Sequence, residues 1–342
     1  EDVCADGACC TPQCSGATCG DDGCGGLCGT CEGAGVCEAG TCVCIPSCDG
    51  RFCADDGCGT PCYPCPSGFV CGAADTCDSV DGQEAFIGDG PFRMGCNETL
   101  DEDCGVEESP ARTLTLPAFV MDVDEVTVGA FRPCVDSGYC APIKAEHCAW
   151  GESTWLMTDA DADTRPVTCV DYQRAVDFCT WRGKTLCSEA QWEKAARGGC
   201  ETGDQGDAGV DGCAAEARVY PWGAGAPTCA DAILKLCAGD QYAHPVGSRE
   251  RDTSVYGVRD LAGNVSEWTA DWYKAGWYGT AADGESAGPA SGAFRAVRGG
   301  SFADLPEALR VSRRSGEVPN VDRGYDDLGF RCCRSLPVEA SE

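Results

Sequence analysis

Three shortages in the sequence each remove a class of function. Histidine occurs only twice in 342 residues, as His147 and His244. That excludes a three-histidine metal centre and weakens a Cys₂His₂ zinc reading. Basic residues number 25 against 56 acidic, for a formal net charge of −31. Nucleic acid is excluded as a partner, because phosphate backbones are held by Lys and Arg. The same imbalance suits cation binding, high solubility or a salty medium. No apolar run approaches twenty residues, so no membrane span is encoded.

Cysteine is abundant instead, with 32 in the chain. A reducing cytosol would leave them as thiols, so the composition predicts an exported, disulfide-rich protein or a metal–thiolate protein. The expected location is secreted, extracellular or at the cell surface. No signal-peptide pattern is present, which leads to the expectation that the sequence starts at a processed mature end.

Eighteen of the cysteines fall in residues 1–80, in a repeat of period 34. Cys10, Cys14, Cys19, Cys24, Cys28, Cys31, Cys37 and Cys42 recur as Cys44, Cys48, Cys53, Cys58, Cys62, Cys65, Cys71 and Cys77. The units are 10–42 and 44–77. Cys4 and Cys9 repeat the spacing of Cys37 and Cys42, so residues 1–9 read as the end of a truncated unit. A unit this short buries too little apolar surface to fold alone, and four disulfides would hold it. Cys28-x2-Cys31 and Cys62-x2-Cys65 have zinc spacing, but their neighbours form no comparable tetrads. Asp21-Asp22-Gly23 and Asp55-Asp56-Gly57 read as turns. This region is expected to be a stalk, spacer or adhesion module.

From residue 81 to 342 the composition is that of an ordinary globular domain. Leu114, Leu116, Phe119, Met121 and Val123 alternate with other residues, as half-buried strands do. Asp171 is placed to cap a helix carrying Tyr172, Ala175, Val176 and Cys179 on one stripe. Ser188 with Gln191 makes a capping box for a second helix, ending at Gly198-Gly199. Two or three helices on a loop-rich body indicate an α+β fold with little regular secondary structure.

One stretch, YGVRDLAGNVSEWTADWY from Tyr256 to Tyr273, is answered by RAVRGGSF at Arg295 to Phe302. Asp260 and Glu267 supply hard oxygens, and the Gly263-Asn264 turn can aim backbone carbonyls at the same point, which suits Ca²⁺. The competing reading is a plain Gly-Asn hairpin with core aromatics. Asp159, Asp161 and Asp163 do not make an EF-hand loop, since its sixth position is Thr164 and its twelfth Val170. Asn97 and Asn264 begin glycosylation sequons, and Asn264 is expected to be committed to its turn.

Several motifs occur in one order: FRMGC near Phe92, ESPARTLTLPAFVMDVDEVT from Glu108 and RPVTCVDYQRAVDFCTWRGKTLCSEAQWEKAARGG from Arg165. YPWG at Tyr220, HPVGS at His244, the stretch above, RAVRGGSF and LGFRC at Leu328 follow. Through them residues 84–334 resemble the formylglycine-generating-enzyme domain, also described as the sulfatase-modifying-factor fold. The resemblance implies an irregular α+β fold related to C-type lectins. It also implies structural Ca²⁺, held by the Asp260 and Glu267 side chains with the Gly263 and Val265 carbonyls. A second set maps to Asp231, the Ala232 carbonyl, Asp240 and the Tyr242 carbonyl, with two residues fewer after Asp240 than is usual. A bridge between Cys179 and Cys332 is implied as well. A second family bridge lacks both partners, at about Ala196 and Val311. For the remaining cysteines proximity favours Cys96–Cys104, Cys134–Cys140, Cys148–Cys169, Cys200–Cys213 and Cys229–Cys237, leaving Cys187–Cys333, although sequence alone does not fix connectivity.

The implied catalytic part does not carry over. Members with the named activity follow RGGS with two cysteines that bind Cu(I), whereas the text after Ser301 here, FADLPEALRVSRRS, has none. Asp304 stands where the first cysteine is expected and Ser266 where a tryptophan is usual. Related sulfoxide synthases take iron from histidines on a helical domain that this chain lacks. The expected function is therefore a calcium-stabilised, non-catalytic protein of binding, adhesion or extracellular assembly, without copper or iron. Its expected partner is a glycan, a cell-surface protein or copies of itself. The alternative is an oxidoreductase with a non-standard site near Ser301, Asp304 and Arg310, with Asp304 and Glu307 as an acid–base pair or as solvated loop acids.

Overall fold

The chain divides into two units, Glu1–Cys77 and Asp78–Glu342. The structure, a computed structural model, describes residues 83–99, 101–149, 151–202, 218–237, 242–282, 284–319 and 323–336. Before residue 80 it describes the backbone of six short strands. In the first unit Val3–Ala5 pairs with Ala8–Cys10 and Gly35–Glu38 with Thr41–Cys44, both antiparallel. Cys4 lies opposite Cys9 and Cys37 opposite Cys42, so pairs that share a sequence spacing also share a backbone register. The predicted Asp-Asp-Gly turns and the C-x2-C pairs lie outside the described residues.

The second unit begins with four strands: β1 (Glu84–Ile87), β2 (Gly90–Met94), β3 (Arg112–Leu116) and β4 (Phe119–Asp122). In β3 the predicted alternation holds, with Leu114 and Leu116 buried and Thr115 exposed between them. In β4 it does not, because β4 lies between two other strands and buries Phe119, Val120 and Met121 in succession. Three helices follow: α1 (Val128–Asp136), α2 (Tyr172–Trp181) and α3 (Glu189–Arg197), with β5 (Thr185–Leu186) between the last two. Later come β6 (Ser266–Tyr273), β7 (Phe294–Arg298), β8 (Arg314–Glu317), β9 (Leu328–Phe330) and β10 (Cys332–Ser335).

One antiparallel sheet carries the order β5-β10-β4-β1. The other runs β8-β7-β6-β9, antiparallel except for the parallel β6–β9 pair. Consecutive β9 and β10 belong to different sheets, so the short segment Leu328–Ser335 ties them together.

Each helix starts where the sequence places a cap. Asp171 accepts the Arg174 N–H at 2.8 Å, and Ser188 and Gln191 form the reciprocal capping box. Gly198 ends α3 with φ near +96°, a conformation that glycine adopts without a Cβ clash. The apolar faces of α1 and α2 meet in an aromatic core, where Phe131 stacks on Phe178 at 5.4 Å and Phe330 meets both edge-on. Trp268 of β6 belongs to the same cluster and donates its indole N–H to the Val170 carbonyl at 3.0 Å.

Helix α3 buries its charged side chains, Glu189, Glu193, Lys194 and Arg197. Their charges are matched from other elements. Glu193 accepts from the Gly95 N–H at 2.7 Å, from Arg197 at 2.9 Å and from Arg298 of β7. Glu189 takes a two-pronged bond from Arg314 of β8, with both contacts at 2.7 Å. Burial alone would raise the Glu189 carboxyl, yet Arg314 and Arg298 hold it below its ordinary value. Lys194 donates to the Gly88 carbonyl at 2.7 Å. Buried charges are tolerated only when paired this fully.

The predicted bridges Cys96–Cys104, Cys134–Cys140, Cys148–Cys169, Cys179–Cys332, Cys187–Cys333 and Cys229–Cys237 are all present. Cys200 is disulfide-bonded, while Cys213 lies outside the described residues. The Cys332-Cys333 pair therefore serves two structural bridges, one to α2 and one to the residue before the α3 cap.

The contrast between buried and exposed pairs is measurable. Glu193→Ala strands two buried guanidiniums and is expected to lower unfolding free energy by about 3–5 kcal/mol. Asp163→Ala opens the exposed Arg132–Asp163 pair and should cost less than about 1 kcal/mol. Urea midpoints of the two variants test this, and equal losses would contradict it.

Candidate functional site

Residues 266 and 267 begin β6, and adjacent strand side chains point to opposite faces. Ser266 lines a surface groove, whereas Glu267 is completely buried. This one-residue step separates the two features that the sequence brought together.

On the buried side, Glu267 is gripped by Arg331. The Arg331 Nε lies 2.9 and 2.8 Å from the two Glu267 oxygens and its Nη2 lies 2.7 Å from Oε1. The Trp192 indole N–H donates to Oε2 at 2.9 Å. Arg331 also collects loop carbonyls, Val123 and Arg259 each at 2.9 Å.

The segment before β6 is not a hairpin. Gly263 and Asn264 have φ near +110° and +57°, and no strand precedes them closely enough to pair through a two-residue turn. Only glycine fits at 263, since a Cβ there would lie 2.3 Å from the Ile233 carbonyl oxygen. Asn264 is buried, accepts the His244 N–H at 2.9 Å and donates to Glu125 at 3.1 Å. Its sequon is thus inaccessible, and Asn97 is buried too.

Around this bend lies a set of buried carboxylates. Asp260 accepts the Gly247 N–H at 2.5 Å, and burial pushes its carboxyl up to about 6. Glu125 and Asp252 are also raised well above the ordinary carboxylate range, first by burial and then by the Asp260 charge. Asp252 Oδ2 accepts the Ala262 N–H at 3.0 Å, but the buried Oδ1 has no partner. Among the described residues, and outside the strand ladders, no backbone N–H donates to the Gly263 or Val265 carbonyl. Hard oxygens left with unmet demand are the donor chemistry that Ca²⁺ takes, so Asp252 and the two carbonyls suit that ion, whereas both Glu267 oxygens are already engaged by Arg331 and Trp192. Carboxylates alone do not assemble the site. Among the described residues, the one trio of Asp, Glu, Cys or His ligand atoms within 4.8 Å is Cys96, Asp101 and Cys104. There the two cysteines are bonded to each other.

The second predicted set is dispersed in role. Asp231 accepts from the Thr228 N–H and hydroxyl at 2.9 and 2.6 Å and pairs with Arg251 at 2.9 Å. Its carboxyl is held below the ordinary range, first by the Thr228 hydroxyl. Ala232 is buried and Tyr242 is exposed, stacked on His244, while Asp240 lies outside the described residues.

On the other face of β6, two adjoining cavities of about 110 and 180 Å³ share Ser266, Val297, Asp304 and Ser315. Tyr325, Asp327 and Glu317 complete the larger one. Asp304 accepts both the Ser301 N–H at 3.0 Å and its hydroxyl at 2.9 Å, and the hydroxyl oxygen lies 3.1 Å from Asp327. A hydroxyl has one proton, so both contacts are hydrogen bonds together only when one of the two carboxyls is itself protonated. Burial pushes Asp327 up to about 6, with Asp326 and Asp304 adding to it. Arg310 is elsewhere, in two-pronged contact with Glu108 and 2.6 Å from Asp101, and Glu307 is exposed. That removes Arg310 from the expected site and leaves Glu307 as a solvated loop acid.

The groove offers oxygen donors, and every described cysteine is disulfide-bonded. Cu(I) prefers thiolates, so the residues present do not fit it. Glu125, Asp252 and Asp327 were not singled out from sequence. Glu125 and Asp327 come from segments distant from the Gly-Asn bend, Asp252 from shortly before it, and only Glu125, acidic just after a buried strand, carried a local hint.

The sulfatase-modifying factor enzyme 1-like domain family matches residues 75–336. The formylglycine-generating enzyme of Thermomonospora curvata is 28% identical over 293 residues, covering 71% of this chain and 90% of that protein. The inactive C-alpha-formylglycine-generating enzyme 2 of Mus musculus is 32% identical over 294 residues, covering 72% and 83%. The solved structure of PvdO from Pseudomonas aeruginosa superimposes with a TM-score of 0.57 at 23% identity, covering 78% of this chain and 97% of that one. With the domain matched over most of its length and the fold shared, this chain belongs to the sulfatase-modifying factor enzyme 1-like domain family.

Proposed function

We propose that this chain is a calcium-stabilised, non-catalytic member of its family, exported and used for binding in an extracellular setting. The observation that carries the reading is the chemistry of the groove. Asp304, standing where the resemblance expects a catalytic thiol, is tied to Ser301 by two hydrogen bonds, and no described cysteine is free. An oxygen-lined groove of this size suits a polar segment of a partner, with Ser266 leaving open the space a tryptophan would fill. Among the described residues no helix is long and apolar enough to cross a membrane. The partner in this reading is a glycan, a cell-surface protein or a second copy of the chain, with the cysteine repeats as a stiff spacer.

Calcium would be held by Asp260, Glu267 and the Gly263 and Val265 carbonyls, and it would supply only charge neutralisation and loop fixation. Arg331 already meets part of the Glu267 charge, and the ion would meet the remainder from Asp260 and Asp252. The second set, Asp231, Ala232, Asp240 and Tyr242, is a weaker candidate, since the Asp231 carboxyl is held low by Thr228 and Asp240 lies outside the described residues. The competing reading is an oxidoreductase at Ser301 and Asp304. The raised Asp327 beside a hydroxyl favours it to the extent of proton transfer, but supplies no electron acceptor.

Three outcomes are expected. At calcium a hundredfold above its Kd, stabilisation is about 2.7 kcal/mol, or roughly 5–10 °C in melting temperature. Chelation removes this gain, and Asp260→Ala abolishes the calcium response; a melting curve indifferent to chelation sinks the assignment. Incubation with Cu(I), oxygen and a cysteine-containing peptide should yield no aldehyde by mass spectrometry, and turnover would establish the oxidase reading. For Asp327 the folded carboxyl keeps its proton up to about pH 6, whereas an ordinary aspartate loses it near 3.8. Its contribution to stability therefore falls as pH rises through that window. Asp327→Asn should flatten the wild-type decline by about 2 kcal/mol between roughly pH 4 and 6. Parallel stability–pH curves would contradict this.

A further inference from the structure

The larger cavity of the groove carries three carboxylates that no cation meets. Asp304, Glu317 and Asp327 line it together with Ser266, Ser315 and Tyr325. All three acids are half-buried and keep accessible surface. Among the described residues no Lys, Arg or His stands within ion-pair distance of any of them. Their side-chain donors are neutral hydroxyls, that of Ser301 shared by Asp304 and Asp327, and that of Tyr325 for Glu317. Elsewhere in the unit, enclosed acids are answered by arginine, as Glu193 is by Arg298 and Glu267 by Arg331. The smaller cavity differs in sign, since Arg298, Arg313 and Arg314 all line it.

Beside these acids stand two exposed leucines. The Lys235 N–H donates to the Asp304 carbonyl at 3.0 Å, which brings the segment carrying Leu236 against the one carrying Leu305. Leu236 is 66% exposed and Leu305 41%. Leu234 and Leu309, close to them in sequence, are buried in a core cluster, so the two exposed leucines are left over from the packed interior. Exposed apolar side chains bordered by polar groups mark a contact surface.

An ammonium has three N–H donors and no acceptor, and lysine carries it on a slim apolar stem. Three carboxylates around one cavity are its complement, and charge-assisted bonds of this kind are about twice as strong as neutral ones. At about 180 Å³ the cavity is below the range that encloses a whole small-molecule ligand, and it admits a single side chain. We propose that the groove docks a lysine side chain from an extended segment of a partner protein, with apolar residues of that segment on Leu236 and Leu305. Docking of this kind deepens the binding role proposed above and rests on it. Charge complementarity selects the occupant. The net charge of −31 repels a second copy of the chain and any acidic glycan. A neutral glycan leaves the three carboxylates unneutralised. A bound ammonium also offsets the repulsion that Asp326 and Asp304 exert on Asp327.

Fluorescence anisotropy of the full chain with a labelled, end-blocked pentapeptide, leucine-alanine-lysine-alanine-leucine, tests this against the same peptide carrying Nε-acetyl-lysine. The lysine peptide is expected to bind about tenfold or more tighter. Asp304→Asn and Glu317→Gln should each weaken it about threefold or more, and Leu236→Ser about threefold. No binding, or equal affinity for the two peptides, overturns the proposal. So does wild-type affinity in both carboxamide variants when their circular dichroism is unchanged. If either variant fails to fold, the acetyl-lysine comparison on the wild-type chain decides. Chitotetraose binding more tightly than the lysine peptide, or dimerisation in sedimentation that Leu236→Ser abolishes, assigns the face to another occupant and also overturns it. Loss of peptide discrimination in a chain whose melting still responds to chelation fails this proposal alone. Aldehyde from the copper incubation fails the non-catalytic reading beneath it.

Discussion

Buried arginines paired with glutamates hold the second unit together where regular secondary structure is sparse. Arg298, Arg314 and Arg331 are essentially inaccessible, and each reaches a carboxylate on a different element. Arg298 and Arg314 fasten β7 and β8 to α3, and Arg331 fastens the end of β9 to the start of β6. Spare guanidinium N–H groups then satisfy loop carbonyls that no ladder reaches, such as Val311 at 2.6 Å and Val123 at 2.9 Å. A loop-rich body leaves many backbone acceptors unpaired, and arginine, with five donors in a rigid fork, meets several at once. Disulfides add a second set of long-range ties, two of them from the adjacent Cys332 and Cys333.

That framework explains how the buried and exposed faces of β6 can diverge. The inward face is fixed by Arg331 and Trp192 around Glu267, so a change there propagates to several loops. The outward face carries Ser266 and the groove, where the polar side chains Asp304, Ser315 and Glu317 stand beside the core residues Val297 and Leu328. Catalytic side chains can be exchanged on such a face while the fold persists. The carboxylates near Asp260 lie on the inward side, and their excess over nearby arginines is what a cation, if bound as proposed, would offset.

Much of this was legible in the sequence. Helix caps at Asp171 and Ser188 depend on short-range chemistry, and the structure places both as the spacing requires. Close cysteines such as Cys134 and Cys140 leave little choice of partner, and the ordered motifs supplied Cys179–Cys332. What the sequence concealed depends on contacts between distant segments. The burial of charge on α3 has no local sign in the sequence, because its partners Arg298 and Arg314 lie more than a hundred residues away. Gly263-Asn264 has hairpin composition, but the preceding segment never forms a strand for it to join. Asp252 and Glu125 are ordinary acids until folding buries them against Asp260.

What balances those buried carboxylates, and the absence of free thiols among the described residues of the groove, together separate a calcium protein from a copper one. Elemental analysis by mass spectrometry of the purified chain, after exhaustive dialysis against metal-free buffer, addresses both at once. Retained calcium of at least one ion per chain with copper near zero is the predicted result. Stoichiometric copper, or no calcium in a fully folded protein, would contradict it.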